Sequence, residues 1–314
     1  MSPEPPTLLR CAGRTVARYT TRPDLAPDHA PRPYLHPVTT LAGRVVTETL
    51  PDDHPHHLGA GIAVADVAGH NFWGGRTFVR DRGSVALDNH GVQRHDGFKL
   101  CDPDGFVEEL SWTAGGERLL REHRTVAATP LTDSAWALDL TFSLTNTSGR
   151  DLSIGSPATN GRPGAAYGGF FWRAPKEATT PTVFGSGGGG GASDSGAGSA
   201  SDSGAGGASD SGAGGASDSG ADGEAAVHGF AADWVALAGE DWTLVFAGAT
   251  AQTRSDPWFV RAAEYPGVGS SLAHAGRLAV PAGETFVRRV VTVVADGRLD
   301  RSGAAALVRK AVAS

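Results

Sequence analysis

Histidine is concentrated in one part of the chain, between Arg32 and Gly97. The chain has 11 histidines, and eight of them fall between His36 and His123, seven within this stretch. Imidazole titrates near neutral pH, so clustered histidines can supply a general acid or base, or they can bind a metal ion. This stretch therefore contains the first candidates for chemistry.

The densest part of the stretch is the sequence Asp52-Asp53-His54-Pro55-His56-His57-Leu58-Gly59. An extended segment, kept rigid by its proline, would place His54 and His56 on one side and His57 on the other. Catalytic roles are predicted for five histidines: His36, His54, His56, His57 and His90. No cofactor is predicted, but a divalent transition metal bound by His36, His54 and His56 is an open alternative, as is a purely structural role. The spacing matches no established zinc motif.

A glycine-rich segment with aromatic and arginine side chains runs from Thr159 to Arg173. Its glycines let the backbone approach a ligand, an aromatic ring can cover the apolar face of a sugar, and arginine can donate to a carboxylate or to hydroxyl groups. Core packing of the aromatic residues is the alternative. The predicted substrate-binding residues are Asn71, Trp73, Arg76, Arg162, Tyr167, Trp172 and Arg173.

Several carboxylates stand near these residues. Asp52, Asp53 and Asp88 could orient an imidazole, although aspartates beside proline more often form turns. Glu108 and Glu109 are adjacent on a predicted strand, so they face opposite sides. One of them could enter a cavity, but a solvent-exposed face is the favoured interpretation. The chain has no Gly-x-Ser-x-Gly, P-loop or Gly-x-Gly-x-x-Gly sequence, which argues against serine hydrolases, nucleotide hydrolases and dinucleotide enzymes.

Composition excludes further classes. The net charge of -7 argues against a nucleic-acid partner, whose binding proteins usually carry a basic stripe. No run of about 18 apolar residues is present, so no membrane partner is predicted. The first residues lack the pattern of a signal peptide, and Cys11 and Cys101 are the only cysteines, so reduced thiols and a cytoplasmic location are expected.

The elements that must position these residues are mainly strands. In 135–145, apolar and polar residues alternate, which is typical of a strand with one buried face. Other predicted strands include 14–20, 45–47, 59–67, 71–79, 106–112 and 119–128, with 152–154 as a return strand and 278–280 with 285–295 as a closing hairpin. One helix is predicted, at 304–312, capped by Asp300 or Ser302. The fold class is therefore all-β, a large antiparallel β-sandwich with a short C-terminal helix.

We predict a single domain over residues 1–314, with a disordered insertion at 186–223. An eight-residue Gly/Ser/Ala/Asp repeat fills most of that insertion and contains no large apolar residue, so burial cannot offset the entropy of ordering it.

Several blocks resemble one family of bacterial proteins. Asp53-His-Pro-His-His-Leu-Gly, Asn71-Phe-Trp-Gly-Gly, Asp88-Asn-His-Gly and 162–173 resemble proteins labelled "PmoA family" or "methane oxygenase PmoA". The resemblance implies a sandwich similar to the galactose-mutarotase-like supersandwich and a role in carbohydrate catabolism. Mutarotases use a histidine and a glutamate, and no glutamate here matches that base by motif.

We therefore expect a carbohydrate-active enzyme of sugar catabolism, of hydrolase, lyase or isomerase type, that uses a histidine-rich pocket for acid–base chemistry. The alternative is a non-catalytic carbohydrate-binding protein. A metal-dependent oxygenase, as the family label suggests, is a third interpretation. The expected partner is a small-molecule carbohydrate, and the sequence does not indicate the oligomeric state.

Overall fold

The computed structural model describes residues 6–187 and 222–313, so most of the predicted insertion at 186–223 lies outside the described residues. The strands are β1 (Thr7–Cys11), β2 (Arg14–Thr20), β3 (Tyr34–Val38), β4 (Ala60–Val67), β5 (His70–Phe72), β6 (Thr77–Val79), β7 (Gly83–Val85), β8 (Val92–Asp102), β9 (Gly105–Ala114), β10 (Glu117–Thr132), β11 (Ala135–Asn146), β12 (Leu152–Gly155), β13 (Gly169–Arg173), β14 (Thr182–Gly185), β15 (Trp234–Ala238), β16 (Trp242–Gly248), β17 (Trp258–Arg261), β18 (Gly267–Ser270), β19 (Leu278–Val280) and β20 (Thr285–Asp296). The helices are α1 (Glu224–Val227), α2 (Ala251–Ser255) and α3 (Arg301–Ala313), with a 3₁₀ turn at Pro27–His29.

The predicted all-β sandwich is confirmed. One sheet has the strand order β1-β2-β3-β4-β13-β18-β17, with β5 and β12 attached to β4 and β19 attached to β12. The second sheet has the order β14-β15-β16-β20-β11-β10-β9-β8. A short third sheet pairs β6 with β7. Many neighbours in the two large sheets are consecutive strands, but six pairings join strands far apart in sequence: β4-β12, β4-β13, β12-β19, β13-β18, β11-β20 and β16-β20. The assembly of both sheets therefore depends on long-range contacts.

The main hydrophobic core lies between the two large sheets. On β11, Trp136 and the alternate residues to Leu144 are buried, and they pack in one cluster with residues of β4 and β13. The indole of Trp136 also donates to the carbonyl of Thr39, at 3.0 Å. Burying a large apolar side chain contributes roughly 1.5–3 kcal/mol, so this alternating pattern is a main source of stability.

Helix α3 covers the opposite face of the eight-stranded sheet. Ala304, Val308 and Ala311 are buried against residues of β15, β16 and β20 in a second apolar cluster. The carboxylate of Asp300 accepts a hydrogen bond from the backbone N–H of Gly303, at 2.7 Å, and so caps the helix as predicted. Two further short helices, α1 and α2, were not predicted.

Three of the predicted strand relationships are wrong. Residues 45–47 form no strand, and Val45 makes only an isolated bridge to Thr39. β12 is not a return strand for β11, because it pairs with β4 and β19. β19 and β20 are not a hairpin, because they belong to different sheets. In the latter two cases a short turn resembles that of a hairpin, whereas the chain crosses there from one layer of the sandwich to the other.

Glu108 and Glu109 do face opposite sides of β9, but the predicted solvent exposure is wrong for Glu108. The Glu109 side chain is about one-quarter exposed and pairs with Lys99 at 2.7 Å. Glu108 is fully buried, and its carboxylate contacts the hydroxyl of Tyr19 and lies 2.6 Å from His95 Nδ1. Arg124 joins this network, and its guanidinium also lies 2.7 Å from Glu122. A buried charge is costly unless it is paired or hydrogen-bonded, so these contacts favour one arrangement of the core.

Across the described part of the chain, no helix is long and apolar enough to cross a membrane.

Candidate functional site

Strand β13 separates the core from the candidate site. Phe170 and Trp172 point into the main core, and the indole of Trp172 donates to the carbonyl of Val46 at 2.8 Å. Phe171 and Arg173 lie on the other face of the sheet, where Phe171 packs with Trp73, Tyr265 and Ala63 in a separate apolar cluster. Successive side chains of a strand alternate in direction, which explains the division. Trp172 is therefore a core residue that cannot stack on a ligand.

The three clustered histidines lie on a turn and not on an extended segment. The backbone N–H of His54 donates to Pro51, and that of His57 donates to His54, at 3.0 and 2.9 Å. Pro55 occupies the second position of the latter turn, where proline is favoured. The predicted opposite orientation of His57 is therefore wrong. The rings instead cluster, with centroids 4.6 Å apart for His54 and His57 and 4.9 Å apart for His56 and His57.

His57 is at the centre of this cluster and is almost completely buried. Its ring contacts those of Trp73, Phe171 and Tyr265, with centroids 5.0–5.8 Å away. Arg173 lies 3.5 Å from His57 Nδ1. These contacts fix the imidazole in place and leave it little access to a ligand.

Arg173 packs beneath the site and contacts several of its residues. It is almost completely buried, and its guanidinium lies 2.9 Å from Glu48 and 3.3 Å from Asp53. The same guanidinium lies over the ring of Tyr265, 4.4 Å from its centroid. Arg173 does not line the cleft, so the predicted direct contact with substrate is not supported by the geometry.

Burial keeps two of the histidines neutral. Burial, together with the positive charge of Arg32, lowers the pKa of His56 to about 3. Burial, together with the neighbouring His56, also places the pKa of His57 far below its ordinary value. At neutral pH both imidazoles are therefore uncharged and act as hydrogen-bonding or packing groups.

His54 is more accessible, and it has a carboxylate partner. Its Nδ1 lies 3.2 Å from Asp53 Oδ2, and about one-third of its side chain is exposed. Partial burial would raise the pKa of Asp53, but the contact with His54 and the charge of Arg173 outweigh it and lower that pKa. Asp53 is thus ionised and lies within ion-pair distance of the His54 ring, although the contact lacks hydrogen-bond geometry.

A cleft of about 540 Å³, counted out to the open solvent at its mouth, lies beside these histidines. Histidine, aromatic, arginine and glutamate side chains surround it. The lining residues are His54, His56, His57, Trp73, Arg162, Ala165, Tyr167, Phe259, Arg261, Glu264 and Tyr265. Two segments predicted from the sequence, 54–57 and 162–167, therefore do meet at one site.

The sequence interpretation missed one wall of the cleft. Phe259, Arg261, Glu264 and Tyr265 come from β17 and the turn after it, and they are brought to the site because β17 pairs with β18, which pairs with β13. The mixture of aromatic and charged residues in 258–265 was the available signal. No motif marked it, and only long-range strand pairing places it near the histidines.

His36 and His90, both predicted to be catalytic, lie outside the cleft. His36 Nδ1 lies 3.0 Å from the hydroxyl of Thr47, and His90 Nε2 lies 2.7 Å from the carbonyl of Gly75. These contacts give both residues a structural role in holding neighbouring loops. The prediction of a five-histidine pocket therefore reduces to His54, His56 and His57.

Asn71 and Arg76 lie in a smaller depression that adjoins the cleft and shares Trp73 and Tyr167 with it. The Asn71 side-chain oxygen accepts hydrogen bonds from the backbone N–H groups of Trp73 and Gly74, at 2.8 and 2.9 Å. Asn71 therefore positions Trp73 at the junction. Arg76 donates to the carbonyl of Ser84 at 2.9 Å.

Gly74 accounts for the close packing of this loop. It has a φ of +100°, and a Cβ there would lie 2.8 Å from the carbonyl oxygen of His29 and 2.7 Å from His56 Cβ. The sequence predicted a bulge or close backbone approach at Gly74 and Gly75, and the close approach is confirmed.

Residues 6–187 and 222–313 contain no group of three or more His, Cys, Asp or Glu side chains arranged to hold a metal ion. The proposed ligand set of His36, His54 and His56 is not assembled, because His36 lies against Thr47 and does not line the cleft. The donor geometry thus does not fit the metal-dependent alternative.

Fold and site together define a β-sandwich protein with an aromatic, histidine-bearing cleft on the outer face of its ten-stranded sheet. A family model described as "Family of unknown function (DUF6807)" matches residues 7–309. The chain belongs to this family. A comparison with curated proteins gave no match.

Proposed function

We propose that the chain is a carbohydrate-modifying enzyme whose substrate binds in the cleft lined by the three histidines. The observation that carries this proposal is the convergence of aromatic rings with side-chain donors. Trp73 and Tyr167 lie with ring centroids 4.5 Å apart, and Tyr265 completes the aromatic wall. Apolar walls with a few placed polar groups are typical of small-molecule sites, and a sugar ring has apolar faces and a rim of hydroxyls.

His54 is the proposed proton-transfer residue. It lines the cleft, it is partly exposed, and Asp53 lies beside its Nδ1. That arrangement is typical of a general acid or base whose ring is oriented by a carboxylate. His56 is neutral and hydrogen-bonds the substrate, whereas the buried His57 holds the surrounding rings in place.

Glu264 is the proposed second acid–base group. It is the one carboxylate among the residues that line the cleft, and it stands in the same wall as Tyr265. No glutamate matches the mutarotase base by motif, so the role of Glu264 rests on its place in the cleft beside His54. Two titratable groups facing one cavity suit a hydrolase, a lyase or an isomerase.

A second candidate function is carbohydrate binding without turnover. The observation that favours it is that two of the three histidines are uncharged and packed among rings, with Trp73 and Tyr265 around His57. Neutral imidazoles can hydrogen-bond hydroxyls without transferring protons.

We also propose a cytoplasmic location. Cys11 and Cys101 are both unpaired, and Cys101 is exposed, which is typical of a reducing compartment.

Turnover of a panel of aldoses, keto-sugars, glycosides and sugar acids tests the proposal. Replacing His54→Ala or Glu264→Gln should lower kcat by about 100-fold or more, with a small effect on substrate affinity. The matched control is His36→Ala, which changes a histidine outside the cleft. Saturable binding with no turnover would favour the second candidate, and equal kcat for His54→Ala and wild type would remove His54 from the mechanism.

A further inference from the structure

One arginine on the rim of the cleft, Arg162, has no acidic partner among the residues that the structure describes. Arg162 is exposed and contacts the hydroxyl of Tyr167. No carboxylate of the described residues lies within ion-pair distance of its guanidinium, in contrast to Arg173 or Arg277, which both have such partners. An unpaired guanidinium beside a cavity is a ready donor for a planar anion.

A second arginine, Arg261, is fixed in the same wall. Its Nη1 donates to the carbonyl of Val260 at 2.8 Å, and its Nη2 donates to that of Gly164 at 3.0 Å. The guanidinium also lies over the ring of Phe259, 4.5 Å from its centroid. Because Gly164 is two residues from Arg162, this bond brings the two arginines to one side of the cleft.

The charge of Arg261 is only partly neutralised. Its nearest carboxylate is Glu224, 3.5 Å from Nη1, and that carboxylate also accepts a hydrogen bond from the backbone of Ala262, at 2.8 Å. The guanidinium is therefore held in position mainly by carbonyls and by an aromatic ring. Such preorganisation reduces the entropy lost when a ligand binds.

A third positive charge lies behind the cleft. Arg32 is buried and donates to three backbone carbonyls, including that of His56 at 2.8 Å. Among the residues that the structure describes, no carboxylate lies within ion-pair distance of it. Charge in a water-poor environment is screened weakly, so Arg32 adds to the positive potential at the histidines.

Against these positive charges the cleft lining has one carboxylate, Glu264. The lining therefore has two arginines, Arg162 and Arg261, against one carboxylate, on a chain whose net charge is -7. Behind the lining, Arg32 and Arg173 are matched by Glu48 and Asp53. A neutral sugar needs no such charge, whereas an anionic ligand would gain from it.

We propose that the ligand of this cleft is a sugar acid, whose carboxylate is bound by Arg162 and Arg261 while its carbon skeleton lies against Trp73 and Tyr265. This inference rests on the proposed carbohydrate function and names the substrate class. Bidentate guanidinium–carboxylate pairing supplies the specificity, and the aromatic rings cover the apolar face.

Calorimetric titration of the full chain tests the proposal with matched pairs of probes. The pairs are D-galacturonate with D-galactose, D-glucuronate with D-glucose, and D-gluconate with sorbitol, with D-glucose 6-phosphate and acetate as further anions. At least one acid should bind about 10-fold or more tightly than its neutral partner. Raising the salt from about 0.05 to 0.5 M should weaken that preference severalfold.

Variants show whether the two arginines cause the preference. Arg162→Gln and Arg261→Gln should each reduce the acid-to-neutral affinity ratio by about 10-fold. The matched control is Arg150→Gln, an exposed arginine paired with Glu117, which should leave the ratio unchanged. Circular dichroism spectra of all three variants must match wild type before the ratios are compared.

The outcomes separate this inference from the function on which it rests. Equal affinity for acids and their neutral partners, or a ratio unaffected by both cleft variants, would refute the sugar-acid assignment and leave carbohydrate binding intact. Tighter binding of the sugar phosphate than of every sugar acid would also refute it. Binding of acetate as tightly as a sugar acid, or no binding of any sugar, would remove the carbohydrate function as well.

Discussion

The pH dependence of stability should be set in part by His56. Its pKa is lowered to about 3 in the folded protein, by burial and by the charge of Arg32. In the unfolded chain it titrates near 6.5. Between these two values the unfolded state binds a proton that the folded state does not. The free energy of unfolding therefore contains a His56 contribution that is complete above pH 6.5 and is lost progressively as the pH falls toward 3.

The size of this contribution follows from the pH interval between the pKa values of His56 in the folded and unfolded states. Each pH unit corresponds to about 1.4 kcal/mol, so lowering the pH from 6.5 to 4.5 should cost about 2 kcal/mol through His56, after allowance for its partial exposure. His57 is shifted in the same direction and adds to the loss. Ionised carboxylates with lowered pKa values, such as Asp53 and Asp66, lose stabilisation at the lower end of the same range.

Comparing variants isolates the histidine from these carboxylates. Urea unfolding of wild type, His56→Gln and His123→Gln would be measured at pH 6.5, 5.5 and 4.5. Glutamine cannot titrate, so His56→Gln should lose about 2 kcal/mol less than wild type over this range, whatever its stability at pH 6.5. His123 is about half exposed and pairs with Glu109 at 2.9 Å, so its replacement should change the slope less than that of His56. Parallel curves for wild type and His56→Gln would refute a buried, neutral imidazole.

Three further predictions concern the fold. Arg124→Met should lower the free energy of unfolding in urea by about 3–5 kcal/mol, because it leaves two buried glutamates unpaired. The control, Met in place of the exposed Arg150, should cost less than about 0.5 kcal/mol. Similar costs for the two variants would contradict the buried network. Gly74→Ala should lower the thermal midpoint by several degrees through a clash with the His29 carbonyl, and an unchanged midpoint would show that the loop can relax. Asp300→Ala should remove the cap of α3 and give faster amide exchange in 304–312 than in wild type. Unchanged exchange would argue against the cap.

The alternation of apolar and polar residues was enough to predict individual strands. The pattern from Trp136 to Leu144 correctly indicated a strand with one buried face, and the capped helix α3 was likewise predictable. The pairing of strands was not, because pairing depends on contacts between distant segments. The crossings at Leu152 and at Leu278 between layers resemble hairpins locally, and nothing in the neighbouring residues distinguishes the two.

The same limit applied to the site. The stretch around His54 and the segment containing Arg162 were identified from their residue types, but their geometry was not, because Pro55 favours a turn as readily as an extended chain. The sequence alone could not place Glu264 in the cleft, because only the pairing of β17 with β18 brings it there. His36 and His90 shared the residue type and the neighbourhood of the clustered histidines, and only the folded structure shows that they bond to other loops.

The most direct test of the proposed function is a crystal structure of the protein soaked with the tightest-binding sugar found by titration. The proposal predicts density for the sugar in the cleft, with its ring against Trp73 or Tyr265 and a polar group within hydrogen-bond distance of His54. Density at any other surface, or an empty cleft at a concentration that saturates binding in solution, would contradict the assignment of this cleft as the carbohydrate site.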